Sequence, residues 1–133
     1  MIEFKNVTVV YDKDIVGLDN VSFKINDGEF VFIIGASGAG KSTVIKLLMH
    51  EVIPTGGKVV VGDFDIKKMK NSKVPMLRRS MGVVFQDFRL IDTMTVFENV
   101  AFAMRAVGCS QRTIRRRVPY VLGIVGLGHK AKN

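Results

Sequence analysis

Two segments near the start of the chain alternate between apolar and polar residues, at residues 2–10 and 21–25. A period of two is typical of a strand that has one face against a core and the other in solvent. The turn residues Asn26-Asp27-Gly28 follow the second segment, and an Asp-Gly pair favours a tight hairpin. The pattern therefore predicts an antiparallel β region at the start of the chain.

Two other segments, at residues 30–34 and 81–85, are apolar without alternation. A continuous apolar run of this length predicts a strand that is buried on both faces, as in a parallel sheet. Between them, the helix-breaking residues 54–57 precede another predicted strand at residues 58–61. Strands that alternate with helices indicate an α/β fold.

Helical patterns occupy residues 41–49 and 75–79 and most of the chain after residue 94. Gly108 is predicted to end one long helix and Ser110 to cap the next, which Pro119 should kink. The positions predicted to face inward are Val96, Val100, Ala103 and Val107 in the first of these helices, and Ile114, Val118, Val121, Leu122 and Val125 in the second.

The composition indicates at most one globular domain, with 47% hydrophobic and 24% charged residues in 133. No apolar stretch reaches the about 18 residues of a membrane span, and the start lacks a secretory signal pattern. The single cysteine, Cys109, cannot form an internal disulfide, which fits a reducing cytosol. The net charge of +8 comes from dispersed basic groups without a nucleic-acid motif. A solvated surface or anionic lipid headgroups explain that charge equally well.

The residues after the apolar segment 30–34 carry the strongest chemical signal. They read Gly35-Ala36-Ser37-Gly38-Ala39-Gly40-Lys41-Ser42-Thr43, which fits G-x-x-x-x-G-K-[ST] between a predicted strand and a predicted helix. The glycines let backbone N–H groups approach a triphosphate, Lys41 can reach its β- and γ-phosphates, and Ser42 can ligate Mg²⁺. The pattern predicts a phosphate-binding loop, or P-loop.

Beyond the loop, no apolar strand ends in the acidic residue that P-loop enzymes use to order Mg²⁺ for hydrolysis. The nearest candidate, at residues 82–87, ends its apolar run in Gln86. His50 and His129 lie outside any catalytic pattern and are predicted to be non-catalytic.

The chain resembles the nucleotide-binding domain of ABC transporter ATPases throughout its length. The P-loop and Gln86, about 45 residues after Lys41 and behind an antiparallel β lead-in, are together specific for that class. Residues 1–4, 45–48, 83–90 and 96–103 are similar to the FtsE-type cell-division ATP-binding proteins. The alternative is another ABC importer or exporter ATPase, for example of the lipoprotein- or macrolide-exporter type. A P-loop kinase or GTPase and a basic binding module are further alternatives.

The resemblance implies a P-loop NTPase fold of ABC type and a role for each matching residue. Tyr11 would stack on adenine and Val16 would flank it, while Gln86 would ligate Mg²⁺ and its loop would sense a membrane partner. The implied nucleotide-binding positions are Tyr11, Val16, Gly35, Ala36, Ser37, Gly38, Ala39, Gly40, Lys41, Ser42, Thr43 and Gln86, and the implied Mg²⁺ positions are Ser42 and Gln86.

The family's signature sequence, Walker B aspartate, catalytic glutamate, D-loop and switch histidine have no counterpart in residues 1–133. The resemblance thus divides a partial ABC domain into a β lead-in (1–30), a P-loop core (31–86), and a Q-loop with helical subdomain (87–133). We expect part of a longer sequence that binds ATP and Mg²⁺ without turnover as it stands. The implied partner is an FtsX-like integral membrane subunit, contacted around residues 88–90, at the cytoplasmic face of a bacterial membrane. The full-length family forms homodimers, and no nucleic acid is expected.

Overall fold

The computed structural model describes residues 1–133, with the exception of the side chain of Lys13. The chain divides into two compact units, Met1–Gly82 and Val83–Asn133. Alternating sequence patterns build the sheet of the first unit, and helical patterns build the second.

The first unit contains a four-stranded sheet in the order β2-β1-β3-β4, in which every neighbouring pair is antiparallel. Its strands are β1 (Ile2–Tyr11), β2 (Ile15–Ile25), β3 (Gly56–Val61) and β4 (Phe64–Asp65). Ile2 lies opposite Ile25 of β2 and opposite Val61 of β3. A 3-10 turn at Asp12–Asp14 joins the first two strands. The antiparallel β region predicted at the start of the chain is therefore confirmed.

The sheet shares one core with the helices α1 (Lys41–Leu48) and α2 (Val74–Arg79). A 3-10 turn at Asn71–Lys73 leads into α2, and Pro75 lies in the first turn of that helix, where a missing N–H costs nothing. The Phe4 ring stacks on Phe23 with the centroids 4.3 Å apart. The buried core residues of this unit are Phe4, Val7, Val9, Leu18, Val44, Leu47, Val59, Val61, Ile66 and Leu77.

The second unit contains the helices α3 (Val96–Ala106) and α4 (Gln111–Ile124), followed by a 3-10 turn at Gly128–Lys130. The helices pack through Ala101 on α3 and through Ile114, Val118 and Leu122 on α4. The three α4 residues are spaced four apart and so form one face. Ser110 caps α4 as predicted, because its hydroxyl accepts a bond of 3.2 Å from the N–H of Thr113. The α4 helix continues through Pro119.

The two strands predicted from continuous apolar runs are wrong. Residues 30–34 and 81–85 are not strands, and Phe30, Ile34 and Val84 are 86%, 89% and 96% exposed. A strand buried on both faces needs hydrogen-bonded neighbours and a layer over each face. Among the described residues, no strand pairs with either segment.

The hairpin predicted at Asp27-Gly28 is also wrong. The turn itself forms, since the Glu29 N–H donates to the Asn26 carbonyl oxygen at 3.3 Å, and the Asn26 side chain bonds the Glu29 carboxylate. The residues directly after the turn, 30–34, form no strand, and β2 pairs with β1 instead. The local turn chemistry was predicted correctly, whereas the long-range pairing was not.

The inward faces of the long helices differ in part from the prediction. Ala103, Val107 and Val125 are exposed, whereas Ala101 is fully buried. Val96 and Val100 pack against the core as predicted, together with Phe97 and Met104. Helix α3 is apolar around most of its circumference, so its own periodicity does not select a face, and packing against α4 does.

Candidate functional site

The loop between residues 35 and 40 has the backbone geometry of an anion-binding turn. Gly38 and Gly40 have φ angles of 81° and 83°, which only glycine adopts without strain. Gly40 is the N-cap residue of α1, and no side chain caps the free N–H groups of that helix. Free N–H groups and the positive end of the helix dipole both favour a bound anion.

Lys41 folds back over this loop. Its Nζ atom donates to the carbonyl oxygens of Gly35 at 2.7 Å and of Ala36 at 2.6 Å. An ammonium has three donors and both partners are uncharged, so one donor and the full positive charge remain available to an anion. The first turn of α1 carries no acidic residue that would neutralise this charge.

Strand β2 approaches the loop closely at Gly40, and the Tyr11 ring approaches Gly17. A Cβ atom on Gly40 would lie 2.5 Å from the Gly17 carbonyl oxygen and 2.7 Å from Leu18 Cδ2. A Cβ atom on Gly17 would lie 2.5 Å from Cε2 of the Tyr11 ring. Cβ atoms do not approach their neighbours this closely, so a side chain at Gly40 would collide with fixed backbone, whereas a side chain at Gly17 would have to displace the Tyr11 ring.

Tyr11 is fixed to the P-loop helix by a polar contact. Its hydroxyl lies 3.1 Å from Oγ1 of Thr43, which is buried on α1. Lys46, one turn further along α1, places its Nζ atom 5.9 Å from the centre of the Tyr11 ring, within cation–π range. The aromatic ring is thereby held beside the loop.

A cleft of about 370 Å³ lies between the end of β1, the start of β2 and the loop. It is lined by Tyr11, Ile15, Val16, Gly17, Ser37, Gly38, Gly40, Lys41, Ser42 and Thr43. Eight of the predicted nucleotide-binding residues thus meet in one cleft, whereas the predicted Gly35, Ala36 and Ala39 do not line it. Ile15 and Val16 are 65% and 55% exposed and form an apolar rim next to the cationic loop.

This arrangement fits a nucleoside triphosphate. One end of the cleft offers backbone N–H groups, an uncompensated ammonium and the Ser42 hydroxyl, and the other offers an aromatic ring and aliphatic side chains. Ser42 is exposed and could supply one oxygen ligand to a magnesium ion. Within the described residues, no cluster of three or more His, Cys, Asp or Glu side chains could hold a metal ion.

Gln86, predicted to bind nucleotide and Mg²⁺, belongs to the second unit and is exposed. The residues after it form a tight turn, in which Phe88 and Arg89 have φ angles of 58° and 47°. The Arg89 guanidinium lies 3.8 Å from the centre of the Phe85 ring, and Arg89 also pairs with Asp87 at 3.6 Å. Left-handed backbone at two consecutive non-glycine residues costs roughly 1–2 kcal/mol for each. The roles predicted for Gln86 remain predictions.

Sequence reasoning missed Ile15, Gly17 and Lys46. Gly17 did carry a signal, because a glycine inside a strand often marks a close backbone approach. Ile15 and Lys46 carried no comparable signal. No helix among the described residues is both long enough and apolar enough to cross a membrane.

Comparison with known proteins identifies the family. The ABC transporter family matches residues 18–133 of this chain. The chain belongs to the ABC transporter family. Its predicted fold, a P-loop NTPase of ABC type, is accordingly confirmed.

Similar ABC proteins include cell division ATP-binding proteins of two bacteria. The cell division ATP-binding protein FtsE of Bacillus subtilis (strain 168) is 46% identical over 132 residues, covering 99% of this chain and 58% of that protein. FtsE of Streptococcus pneumoniae serotype 2 is 47% identical over 133 residues, covering 100% and 58%. The resemblance to FtsE proteins is thus confirmed, and the chain spans 58% of the length of these relatives.

A solved ABC structure extends the comparison to the fold. The ATP-binding cassette MJ0796, in a dimeric post-hydrolysis state bound to ADP and Pi, matches this chain with a TM-score of 0.87 at 33% identity. The match covers 100% of this chain and 61% of that one.

Proposed function

We propose that this chain binds Mg-ATP as the nucleotide-binding part of an FtsE-like subunit. The observation that carries the proposal is the single cleft that joins Tyr11 and Val16 to the P-loop residues. Lys41 and the loop N–H groups hold the phosphates, Ser42 ligates Mg²⁺, and the Tyr11 ring stacks on adenine. ATP and Mg²⁺ are the cofactors, and Gln86 provides a second Mg²⁺ ligand.

The subunit works with an FtsX-like integral membrane protein at the cytoplasmic face of a bacterial membrane. Support for this step comes from the 46% and 47% identity to FtsE proteins and from the exposed turn after Gln86. Phe88 and Leu90 are 75% and 65% exposed, and large exposed apolar side chains mark protein interaction sites. Homodimerisation, as in the dimeric MJ0796 structure, is part of the same proposal.

Calorimetric titration with Mg-ATP tests the phosphate end of the cleft. Lys41→Ala removes the uncompensated ammonium, and we expect ATP affinity to fall at least about tenfold, as for a charge-assisted bond of roughly 1.5–3 kcal/mol. Lys70→Ala, an exposed residue away from the cleft, removes the same charge and should leave the affinity unchanged. Equal affinities for wild type and Lys41→Ala would contradict the proposal.

The same titration tests the adenine end. Tyr11→Ala should lower ATP affinity by the roughly 1–3 kcal/mol of an aromatic–base stack, whereas Tyr11→Phe keeps the ring and should bind nearly normally. Inorganic triphosphate has no base to stack, so its affinity should not change in Tyr11→Ala. If Tyr11→Ala also weakened the binding of inorganic triphosphate, the role of Tyr11 would be to hold the loop in place and not to stack on adenine.

Turnover and partner are tested separately. Residues 1–133 should release no more phosphate from ATP than Lys41→Ala does, because no counterpart of the catalytic glutamate lies among them.

Co-expression with a four-span FtsX-like protein should recover both proteins together from detergent extracts. Recovery with the membrane subunit of a lipoprotein or macrolide exporter instead would favour that alternative.

A further inference from the structure

The charge of the second unit is concentrated at its end. Residues 99–133 contain no Asp or Glu, but they contain Arg105, Arg112, Arg115, Arg116, Arg117, Lys130 and Lys132. The acidic residues of this unit, Asp87, Asp92 and Glu98, all precede this stretch. The positive charge is therefore not balanced locally in sequence, and α4 carries four arginines without a single acid.

The fold places these arginines on an outer face of α4. Ile114, Val118 and Leu122 occupy the face that packs on α3, and all four arginines are exposed. Arg112, Arg115 and Arg116 line an open groove of about 530 Å³ together with Thr113. Within the described residues, none of these three arginines forms an ion pair.

The outer face becomes apolar further along the helix. Tyr120 and Ile124 follow Arg112 and Arg116 at intervals of four residues, so these four side chains lie along one line of the helix surface. Tyr120 is 60% exposed and Ile124 is 67% exposed. The Arg117 guanidinium lies 5.5 Å from the centre of the Tyr120 ring, which keeps the ring beside the basic groups.

We infer that this line of α4, Arg112–Arg116–Tyr120–Ile124 with the neighbouring Arg115, binds anionic phospholipid headgroups at a membrane surface. Arginine forks match phosphate oxygens, while an exposed tyrosine and isoleucine are suited to the boundary between headgroups and acyl chains. A nucleic acid would use the arginines but would gain little from the exposed Ile124. The unbalanced charge gives the long-range attraction to an anionic leaflet.

The site is distinct from the nucleotide cleft, so its test is independent of ATP. The probe is sedimentation of the full chain with vesicles of phosphatidylglycerol and phosphatidylcholine, compared with phosphatidylcholine alone. Wild type and Lys41→Ala should both sediment with the anionic vesicles only. The triple variant Arg112→Gln/Arg115→Gln/Arg116→Gln should lower the vesicle affinity at least about tenfold, because each basic group close to an anionic membrane surface adds to the attraction.

A matched variant controls for net charge. Lys67→Gln/Lys68→Gln/Lys70→Gln removes the same charge from exposed positions of the first unit and should keep the vesicle affinity within about twofold. Equal losses in the two triple variants would overturn the inference, since binding would then follow net charge alone. No loss in the arginine variant would overturn it as well.

A fluorescent reporter tests the site even if the arginine variant does not fold. The chain has no tryptophan, so Tyr120→Trp introduces a single emitter. Its emission should shift to the blue and be quenched by brominated lipid in anionic vesicles, and neither should occur with neutral vesicles. Unchanged emission in anionic vesicles would refute the inference. Retained vesicle binding in Tyr120→Ser/Ile124→Ser, together with tight binding of duplex DNA, would make the surface a nucleic-acid site and would refute the inference as well.

Discussion

Single atoms decide the geometry of the cleft. Gly40 and Gly17 lie so close that a methyl group on either would overlap a neighbour by about an ångström, and the Tyr11 hydroxyl reaches Thr43 from the same side. The P-loop glycines therefore have two separate reasons to be glycine. Gly38 needs only its backbone conformation, whereas Gly40 needs that conformation and also the space.

This difference predicts unequal costs for two similar substitutions. Gly38→Ala places a Cβ in open space at a φ of 81° and should lower the free energy of unfolding by about 1–2 kcal/mol. Gly40→Ala has the same backbone cost at a φ of 83° and also a contact of 2.5 Å with the Gly17 carbonyl oxygen. We expect it to cost at least about 1 kcal/mol more, in the range of overpacking.

Urea denaturation followed by circular dichroism measures both variants. The order of midpoints should be wild type, then Gly38→Ala, then Gly40→Ala. Equal midpoints for the two alanine variants would mean that β2 moves away from the loop at little cost, so that the close approach does not constrain the site.

At the scale of elements, helix α3 is held by its first turn. Thr95 and Glu98 form a reciprocal capping box: the Glu98 N–H donates to Thr95 Oγ1 at 3.2 Å, and the Glu98 carboxylate accepts from the Thr95 N–H at 2.8 Å. Asn99 ties the preceding loop to the helix, since its side chain bonds both the N–H and the carbonyl oxygen of Ile91. The sequence predicted a helix after residue 94, but neither the capping box nor the role of Asn99.

The capping box predicts how helix stability depends on pH. Hydrogen bonds from the Thr95 N–H and hydroxyl lower the pKa of Glu98 from its ordinary value of 4.5. A lowered pKa in the folded state means stabilisation that is complete above 4.5 and is lost as the pH falls through the lower folded-state value. The Glu98→Gln side chain cannot ionise, so this variant should lack the pH-dependent part of the stabilisation.

Thermal unfolding of both proteins between about pH 6 and about pH 3 tests the sign of this effect. The stability difference between wild type and Glu98→Gln should be largest at the upper end and should shrink on acidification. A difference that stays constant, or grows towards low pH, would show that the Glu98 carboxylate does not stabilise the folded state through its charge.

At the scale of the whole molecule, the largest departure from expectation is the exposure of the apolar segment at residues 30–34. The segment lines a cavity of about 400 Å³ with Leu18, Val21, Phe23 and Val44 of the first unit, yet it forms no strand. Phe30 and Phe32 touch each other edge to face and remain 86% and 78% exposed. Exposed apolar surface of this kind favours association.

The segment should therefore dominate the binding of hydrophobic dyes. Phe30→Ser/Phe32→Ser/Ile34→Ser should lower the fluorescence of bound anilinonaphthalene sulfonate and reduce self-association in sedimentation velocity, with little change in the unfolding midpoint. Leu77→Ala, at a fully buried position, should instead lower the unfolding midpoint, because it reduces the free energy of unfolding by about 2–5 kcal/mol. A serine variant as unstable as Leu77→Ala would mean that the segment belongs to the core.

The sequence by itself determined the elements whose signals are local. The alternating strands, the P-loop helix, the Ser110 cap and the end of helix α3 before Gly108 depend on neighbours within a few residues, and all of them appear in the structure. The P-loop pattern likewise predicted most of the residues that line the cleft, because its spacing encodes the loop geometry directly.

Only the tertiary structure decided the features that depend on distant partners. Residues 30–34 and 81–85 have strand-like sequences, but no strand in the described part of the chain pairs with them. The buried face of α3 is selected by packing against α4 and not by the periodicity of α3 itself. The contacts of the Tyr11 ring with Lys46 and of the Tyr11 hydroxyl with Thr43 also join residues that are far apart in sequence. Strand pairing and close packing join residues that are distant in sequence. A local pattern can therefore predict a strand or an apolar helix face, but the distant segment that packs against it decides whether that strand forms or that face is buried.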